Sequence, residues 1–342
     1  MQRDVSEIGL GTIPTLAGAV NILPRYYNLT NSQATRLLHE AFGNGVNLYD
    51  TAVSPEYGDA DRKLGLSFKR NRSSVILSSK ARAYDRASMQ RAIERSLRLM
   101  ETEYLDLYLI HDLPLPVAQQ ALDESYGALA ALLEAKEAGK IRAIGVGTHR
   151  AAVAAIASNH PAVDVVALPY NVLEPGVFLT ACEQGFLREK AIFVKVLGGG
   201  LLTPHLPLHE LLHFAMRQKP LALLVGIGTL EELRTLVGAY ISAKGLPSHH
   251  EPAAIPFSEC NRCQKCRCPF GLDISRVLRL RAYAFLGLRR WAAERFRESK
   301  VDVDACGRCR ECLETCPRHV DIPSLMVEAA DWFRQLAASK DV

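Results

Sequence analysis

The sequence predicts a (β/α)8 barrel followed by a small, mainly helical domain organised around thiols. Three observations lead there. Short β-rich runs alternate with longer helical patterns from residue 5 to about 240, those runs number eight, and eight of the nine cysteines fall within the last 83 residues.

Taken in order, the candidate strands are EIGLGT at 7–12, VNLYD at 46–50, VILSS at 75–79, LDLYLI at 105–110, AIGVG at 143–147, VVALP at 165–169, IFVKV at 192–196 and ALLVG at 222–226. Between them, residues 85–100 place Met89, Ile93, Leu97 and Met100 at helical spacing, and the Ala/Leu-rich run 119–138 reads as one helix closed by Gly139. An open doubly wound sheet is the alternative. It favours a GxGxxG turn after the first strand, which GLGTIPTLAG lacks. Residues 244–258 hold three prolines and no periodicity, so they read as a linker between a barrel domain, 1–243, and a thiol domain, 259–342. The latter contains helical stretches at about 273–300 and 322–338.

At 342 residues the chain exceeds the usual size of one core, and 48% apolar with 23% charged residues is a globular composition. It has no run of eighteen apolar residues, and MQRDVSEIGLG lacks a basic segment leading into an apolar one, so a cytoplasmic protein without membrane contact is expected. The formal charge is +4; residues 257–342 hold 16 Lys+Arg against 12 Asp+Glu, and the rest 25 against 25. Those basic residues are scattered among acidic ones, so no nucleic-acid partner is expected. Thiols in a reducing compartment are expected to bind metal rather than pair, and Cys182, standing apart, reads as a small apolar residue.

The run Cys306-x2-Cys309-x2-Cys312-x3-Cys316-Pro has the bacterial ferredoxin spacing, in which three thiolates hold one 4Fe-4S cluster and the fourth reaches the other. Cys260-x2-Cys263-x2-Cys266-x-Cys268-Pro is a shortened version, and CPFGLDI and CPRHVDI repeat one closing pattern. Cross-ligation then gives Cys260, Cys263, Cys266 and Cys316 to one cluster and Cys306, Cys309, Cys312 and Cys268 to the other. Structural zinc is the alternative, although it has no use for the third thiol at this spacing.

NLYDTAVSPEYGDADRKLGLSF (47–68), VILSSK (75–80) and LMETEYLDLYLIHDL (99–113), together with further matches over residues 5–240, resemble the aldo-keto reductases. One branch of that family carries a ferredoxin-like tail. The resemblance implies a small-molecule carbonyl or alcohol substrate, NAD(P)H as cofactor, and catalytic roles for Asp50, Tyr57, Lys80 and His111. Hydride reduction of a carbonyl needs a proton donor at the developing alkoxide, and a phenol near pKa ~10 is too weak alone. Lys80 would assist Tyr57 as a cation, Asp50 would keep Lys80 charged, and His111 would orient the carbonyl oxygen.

The nicotinamide site departs from the family. Gly147 and Thr148 stand where a Ser-Asn pair is usual, and Ala167 where a Gln is usual. By the same resemblance Tyr170 stacks on the nicotinamide ring, and LGGGLL supplies Gly198, Gly199, Gly200 and Leu201 to the pyrophosphate. GIGTLEEL supplies Gly226, Gly228, Thr229 and Glu232 to the adenosine phosphate, with no Lys or Arg inside the loop to choose NADPH over NADH; Arg234 lies beyond it. The resemblance leads to the expectation that the family's N-terminal hairpin is shortened or absent here. HELLH at His209–His213 also matches the zincin pattern, but it falls where the barrel needs its seventh helix, so its histidines are expected at the surface. Three functions stay open: an NAD(P)H-linked carbonyl reductase, a reductase fed single electrons through the clusters by a ferredoxin or flavodoxin, and a redox sensor with a silent barrel.

Overall fold

In the computed structural model, which describes residues 5–12, 29–253, 255, 259–299 and 301–338, eight parallel strands close into a barrel. They are β1 (Ile8–Gly11), β2 (Leu48–Asp50), β3 (Ile76–Ala81), β4 (Leu105–Ile110), β5 (Ile141–Gly147), β6 (Val165–Pro169), β7 (Ala191–Val194) and β8 (Ala222–Val225). Each pairs with its neighbour in sequence, and β1 bonds both β2 and β8. The helices that follow them are α1 (Asn31–Gly43), α2 (Ala60–Phe68), α3 (Arg86–Met100), α4 (Ala128–Glu137), α5 (Ala151–Asn159), α6 (Gly176–Glu183), α7 (Leu208–Met216) and α8 (Leu230–Lys244).

The two-residue period of a strand sorts side chains between lumen and helix layer. Leu48, Ile76, Leu107, Val165, Ala167 and Ile192 share the lumen, whereas Tyr49, Leu77, Tyr108, Val166 and Phe193 belong to the outer core against the helices. Burying each large apolar side chain contributes about 1.5–3 kcal/mol, which is why this alternation fixes the register.

The single helix expected over 119–138 is broken in two. A turn of helix at Ala118–Ala121 stops before Asp123, whose carboxylate accepts from the backbone N–H of Ser125 (2.8 Å) and Tyr126 (3.1 Å), and α4 starts after Gly127. Gly127 is required there, because a Cβ would lie 2.3 Å from the Gln120 carbonyl oxygen. HELLH does form α7, but His213 is buried and its Nδ1 lies 3.0 Å from the Ala243 carbonyl oxygen. The expectation of surface histidines therefore fails for His213: the apolar face that seats α7 on the barrel includes it.

Beyond α8 the chain turns at Gly245; residues 254 and 256–258 of the expected linker, residue 300 and residues 1–4 lie outside the described residues. The stretch expected to be helical over 273–300 is two helices, α9 (Ile274–Phe285) and α10 (Arg289–Ser299), separated at Gly287 with φ +116°. Helix α11 (Ile322–Ala338) packs on both, with Phe296 and Phe333 stacked at 3.8 Å. This tail has its own small core, which takes in Cys312 and Cys316. It sits on the C-terminal mouth of the barrel, where Tyr283, Leu286 and Leu288 meet Leu173, Leu202 and Leu206 from the loops after β6 and β7. Among the described residues no helix is long and apolar enough to cross a membrane.

Candidate active site and thiol pockets

Asp50 ends β2, Lys80 lies near the end of β3, His111 follows β4, and Tyr57 closes a 3-10 turn after β2. Strand register brings them to one place. Asp50, Ser78, Lys80, His111 and His149 line the upper part of a cavity whose lower wall is Leu48, Leu107, Leu109 and Ile192. Lys80 Nζ forms a salt bridge with Asp50 and donates to the Thr51 carbonyl oxygen at 2.8 Å. Ser78 Oγ donates to the other Asp50 oxygen at 2.8 Å, which fixes the carboxylate. Burial pushes the Lys80 ammonium down, but the Asp50 carboxylate and the Tyr57 phenol outweigh it and hold the pKa above the ordinary lysine value. Lys80 lies 5.0 Å from the centre of the Tyr57 ring. His111 is held well below the ordinary histidine range by burial and then by the Lys80 cation, so its ring is neutral, and its Nδ1 has no hydrogen-bond partner among the described residues.

The nucleotide residues named from sequence are placed differently. A Cβ on Gly147 would lie 2.5 Å from His111 Nδ1, so the position has no room for a side chain while His111 stands where it does. Thr148 is buried; its hydroxyl donates to the Leu113 carbonyl oxygen at 2.9 Å and accepts from the Arg150 N–H at 3.1 Å, so its one donor is spent inside the protein. Tyr170 is not brought to the cavity. It belongs to the outer core, where its ring stacks on Phe193 at 4.6 Å and on Phe214 at 5.1 Å. Gly198, Gly199 and Gly200 turn the chain after β7 with φ of 58°, 71° and 90°, and Leu201 is covered in the cluster that joins barrel and tail. Gly226 ends at the surface, while Gly228, Thr229 and Glu232 bond one another. The Gly228 N–H donates to Glu232 at 2.7 Å and the Glu232 N–H to Thr229 at 3.0 Å, capping α8.

In the tail, Cys260, Cys263, Cys266 and Cys316 line one pocket, together with Gln264 and Arg318. Burial and then the neighbouring thiols of Cys260, Cys263 and Cys316 push Cys266 up to about 12. Cys312 is raised by burial and then by Cys306, Cys309 and Cys268, which are its thiol neighbours. Among the described residues no three His, Cys, Asp or Glu form a group that could hold a metal ion, so the first four thiols ring their pocket rather than meet at one point. The two runs also share a backbone. Arg262 and Gln264 flank Cys263 with φ of 59° and 60°, and Arg308 and Arg310 flank Cys309 with φ of 50° and 68°. Left-handed residues other than glycine are uncommon, and alternation of this kind turns successive N–H groups inward as an anion nest.

The first run is pressed against the barrel. The Gly176 N–H donates to the Asn261 carbonyl oxygen at 2.8 Å, and Gln264 receives the Ala151 N–H at 3.0 Å while donating to the His149 carbonyl oxygen at 2.7 Å. A Cβ on Gly176 would lie 2.5 Å from both Asn261 O and Cys263 N. Gly176→Ala is therefore expected to weaken seating of the tail by about 1–3 kcal/mol, as overpacking does. Faster proteolysis between residues 245 and 259 would register it; an unchanged cleavage rate would mean that this contact does not hold the tail down.

Sequence reasoning missed several residues at the mouth. His149 lines the cavity with its ring 6.3 Å from that of His111, and its Nδ1 lies 3.0 Å from Asp112. Glu174, 1% exposed, is bridged to Arg262 at 2.7 Å and accepts from the Tyr283 hydroxyl at 3.1 Å. Only His149, directly after GVGT, and Lys195, a charge within the apolar run IFVKV, left a local signal.

The pattern of the Aldo/keto reductase family matches residues 7–207, more than half of the chain, and the chain belongs to that family. It is 29% identical over 157 residues to aldo-keto reductase YhdN of Bacillus subtilis, covering 42% of this chain and 43% of that one. It is likewise 29% identical over 153 residues to L-galactose dehydrogenase of Arabidopsis thaliana, covering 42% and 44%. The chain thus spans less than half the length of these curated relatives. Among solved structures, aldo-keto reductase AKR11C1 of Bacillus halodurans in its holo form is similar with TM-score 0.56, 19% identity and coverage of 73% and 89%. An aldo-keto reductase of Klebsiella pneumoniae in complex with NADPH is similar with TM-score 0.55, 23% identity and coverage of 69% and 85%. At these identities the structural likeness establishes the barrel fold.

Proposed function

We propose that this chain is an NAD(P)H-dependent oxidoreductase that interconverts a small-molecule carbonyl and its alcohol, with two 4Fe-4S clusters in a ferredoxin-like domain spanning 259–342. The observation that carries it is the salt-bridged, buried Lys80 beside Tyr57 and a neutral His111 at the mouth of the barrel. Tyr57 gives a proton to the carbonyl oxygen as its charge develops, and the Lys80 cation stabilises the negative charge left on the phenol. Asp50 keeps Lys80 charged and in place, and His111 donates to the same oxygen from a neutral ring. The nicotinamide, when bound, supplies the hydride.

The mouth suits that cofactor unevenly. Neither Thr148 nor Tyr170 offers a carboxamide or stacking contact, and the glycine turn after β7 and the start of α8 are the proposed seats of the dinucleotide phosphates. The first turn of α8 carries Glu231 and Glu232, and Arg234 is exposed beyond it. Two carboxylates at that turn oppose a 2′-phosphate. Titration calorimetry is expected to show weak binding of both dinucleotides, with NADPH no tighter than NADH, since each missing hydrogen bond costs about 1 kcal/mol, or about five- to tenfold. Tight binding selective for NADPH would contradict this account of the pocket.

For the clusters, the donor set supports the reading: four thiols around one pocket, three others beside Cys312, and two loops of one backbone shape. Clusters of this type exchange single electrons. A second reading follows from Gln264, whose side chain ties the first thiol loop to His149 in the wall of the active cavity. In that reading electrons enter from a ferredoxin or flavodoxin through the tail. Stopped-flow reduction separates the two: rapid bleaching of the cluster absorbance by reduced ferredoxin, with no nucleotide binding, would favour the second.

A further inference from the structure

We infer that His149, held by Asp112, is a hydrogen-bond acceptor in the wall of the active cavity and takes a hydroxyl that the substrate carries beside its reacting carbonyl. This rests on the carbonyl-reductase reading, and it makes the substrates α-hydroxy carbonyls and the vicinal diols they become.

His149 lines that cavity together with Asp50, Lys80 and His111, and it is held there from two sides. Asp112 Oδ2 lies 3.0 Å from His149 Nδ1, and Asp112 Oδ1 accepts the backbone N–H of the same histidine at 3.2 Å. Asp112 is tied down in turn, because its carbonyl oxygen accepts from the Tyr84 hydroxyl at 2.9 Å. From the tail, Gln264 donates to the His149 carbonyl oxygen at 2.7 Å and accepts the Ala151 N–H at 3.0 Å. Ring and backbone are both pinned. His111 stands alongside, with 6.3 Å between ring centres, and it can lie there because Gly147 has no side chain to meet its Nδ1.

The carboxylate decides what the ring can do. An acceptor oxygen at 3.0 Å calls for a hydrogen on Nδ1, and a neutral imidazole with its hydrogen there presents only a lone pair at Nε2. Burial, and then the Lys195 cation, hold His149 below the ordinary histidine value, which keeps the ring neutral. Its Nε2 is buried and has no hydrogen-bond partner among the described residues. A reacting carbonyl oxygen cannot satisfy that atom, because both are acceptors. A hydroxyl can. The other polar groups of the wall serve a hydroxyl less well: Asp50 is already bonded by Lys80 and Ser78, and Leu48, Leu107, Leu109 and Ile192 make the floor apolar. Since the same cavity holds Lys80 and His111, one small ligand reaches both sides when its hydroxyl and its carbonyl stand on adjacent carbons.

The amide N–H of a nicotinamide carboxamide is the other donor that can meet Nε2, and the test separates the two. Full-length protein prepared without oxygen is titrated with 1,2-propanediol and with 2-butanol, in which a methyl replaces one hydroxyl. NADH is present so that neither alcohol is oxidised, and saturation-transfer NMR reads the affinities. The diol is expected to bind about ten- to a hundredfold more tightly. His149→Phe keeps the bulk of the ring and is expected to erase that preference. Asp112→Asn is expected to erase it as well: Oδ1 stays with the His149 N–H, the new amide NH2 faces Nδ1, and the ring hydrogen moves to Nε2. The ring nitrogen chemical shifts of His149 report that change of tautomer. Should His149→Phe lose the near-ultraviolet dichroism of the parent, Asp112→Asn gives the same reading. The inference is overturned if 2-butanol binds as tightly as the diol, if neither binds, or if either variant keeps the parent's preference. A His149→Phe variant that keeps it, and weakens NADH but not ADP-ribose, assigns Nε2 to the carboxamide instead. Neither alcohol has a carbonyl to reduce, so the comparison reports on the cavity even where Tyr57→Phe shows the barrel to be inactive as a reductase.

Discussion

Tyr57→Phe is expected to lower kcat for carbonyl reduction by about 10²- to 10⁴-fold while leaving ligand binding nearly unchanged, because it removes only the transferable proton. Lys80→Met is expected to lose as much, and for two reasons. The cation that stabilises charge on Tyr57 is gone, and Asp50, 6% exposed, is left without its partner, a loss of about 3–5 kcal/mol when a buried pair is broken. The two variants thus differ in stability though not in turnover, and a thermal melt beside the rate assay distinguishes them. If both variants reduce a carbonyl as fast as the parent, the proton-transfer scheme is wrong.

The second large effect concerns the tail. Protein purified without oxygen is expected to contain about eight irons and eight sulfides, and Cys316→Ser about half of each. Cys316 belongs by sequence to the second run, but it lines the pocket of Cys260, Cys263 and Cys266. The cluster lost should therefore be the one nearest the barrel, seen as loss of whatever spectral change barrel ligands induce. A variant that kept that response and lost the other signal would refute the sorting of thiols. Zinc in place of iron would refute the cluster reading altogether.

The barrel was legible because its strands are short apolar runs with helical spacings between them, and all eight were located to within a few residues. Local turn chemistry defeated the reading at 119–138, where Asp123 collects two backbone N–H groups inside an otherwise helix-forming run. Tyr170 was misplaced for a different reason. Residues 165 and 167 face the lumen, so a period of two carries position 170 outward, and family resemblance at one residue hid that parity. The mouth was the least legible part. Glu174, Arg262 and Tyr283 come from three separate segments, and no local spacing can show that a tail arginine will neutralise a barrel glutamate.

The Glu174–Arg262–Tyr283 contact also places a thermodynamic constraint on the whole chain. One side of it shapes the mouth of the barrel and the other belongs to the loop that carries Cys260 and Cys263, so the seated tail and the formed mouth are a single state. Any ligand that prefers that state over the unseated one must, by linkage, be retained more tightly when the thiol loop is fully assembled, and must stabilise the loop by the same factor in return. Occupancy of the barrel and the redox condition of the tail would then be two handles on one equilibrium, with each readable from the other.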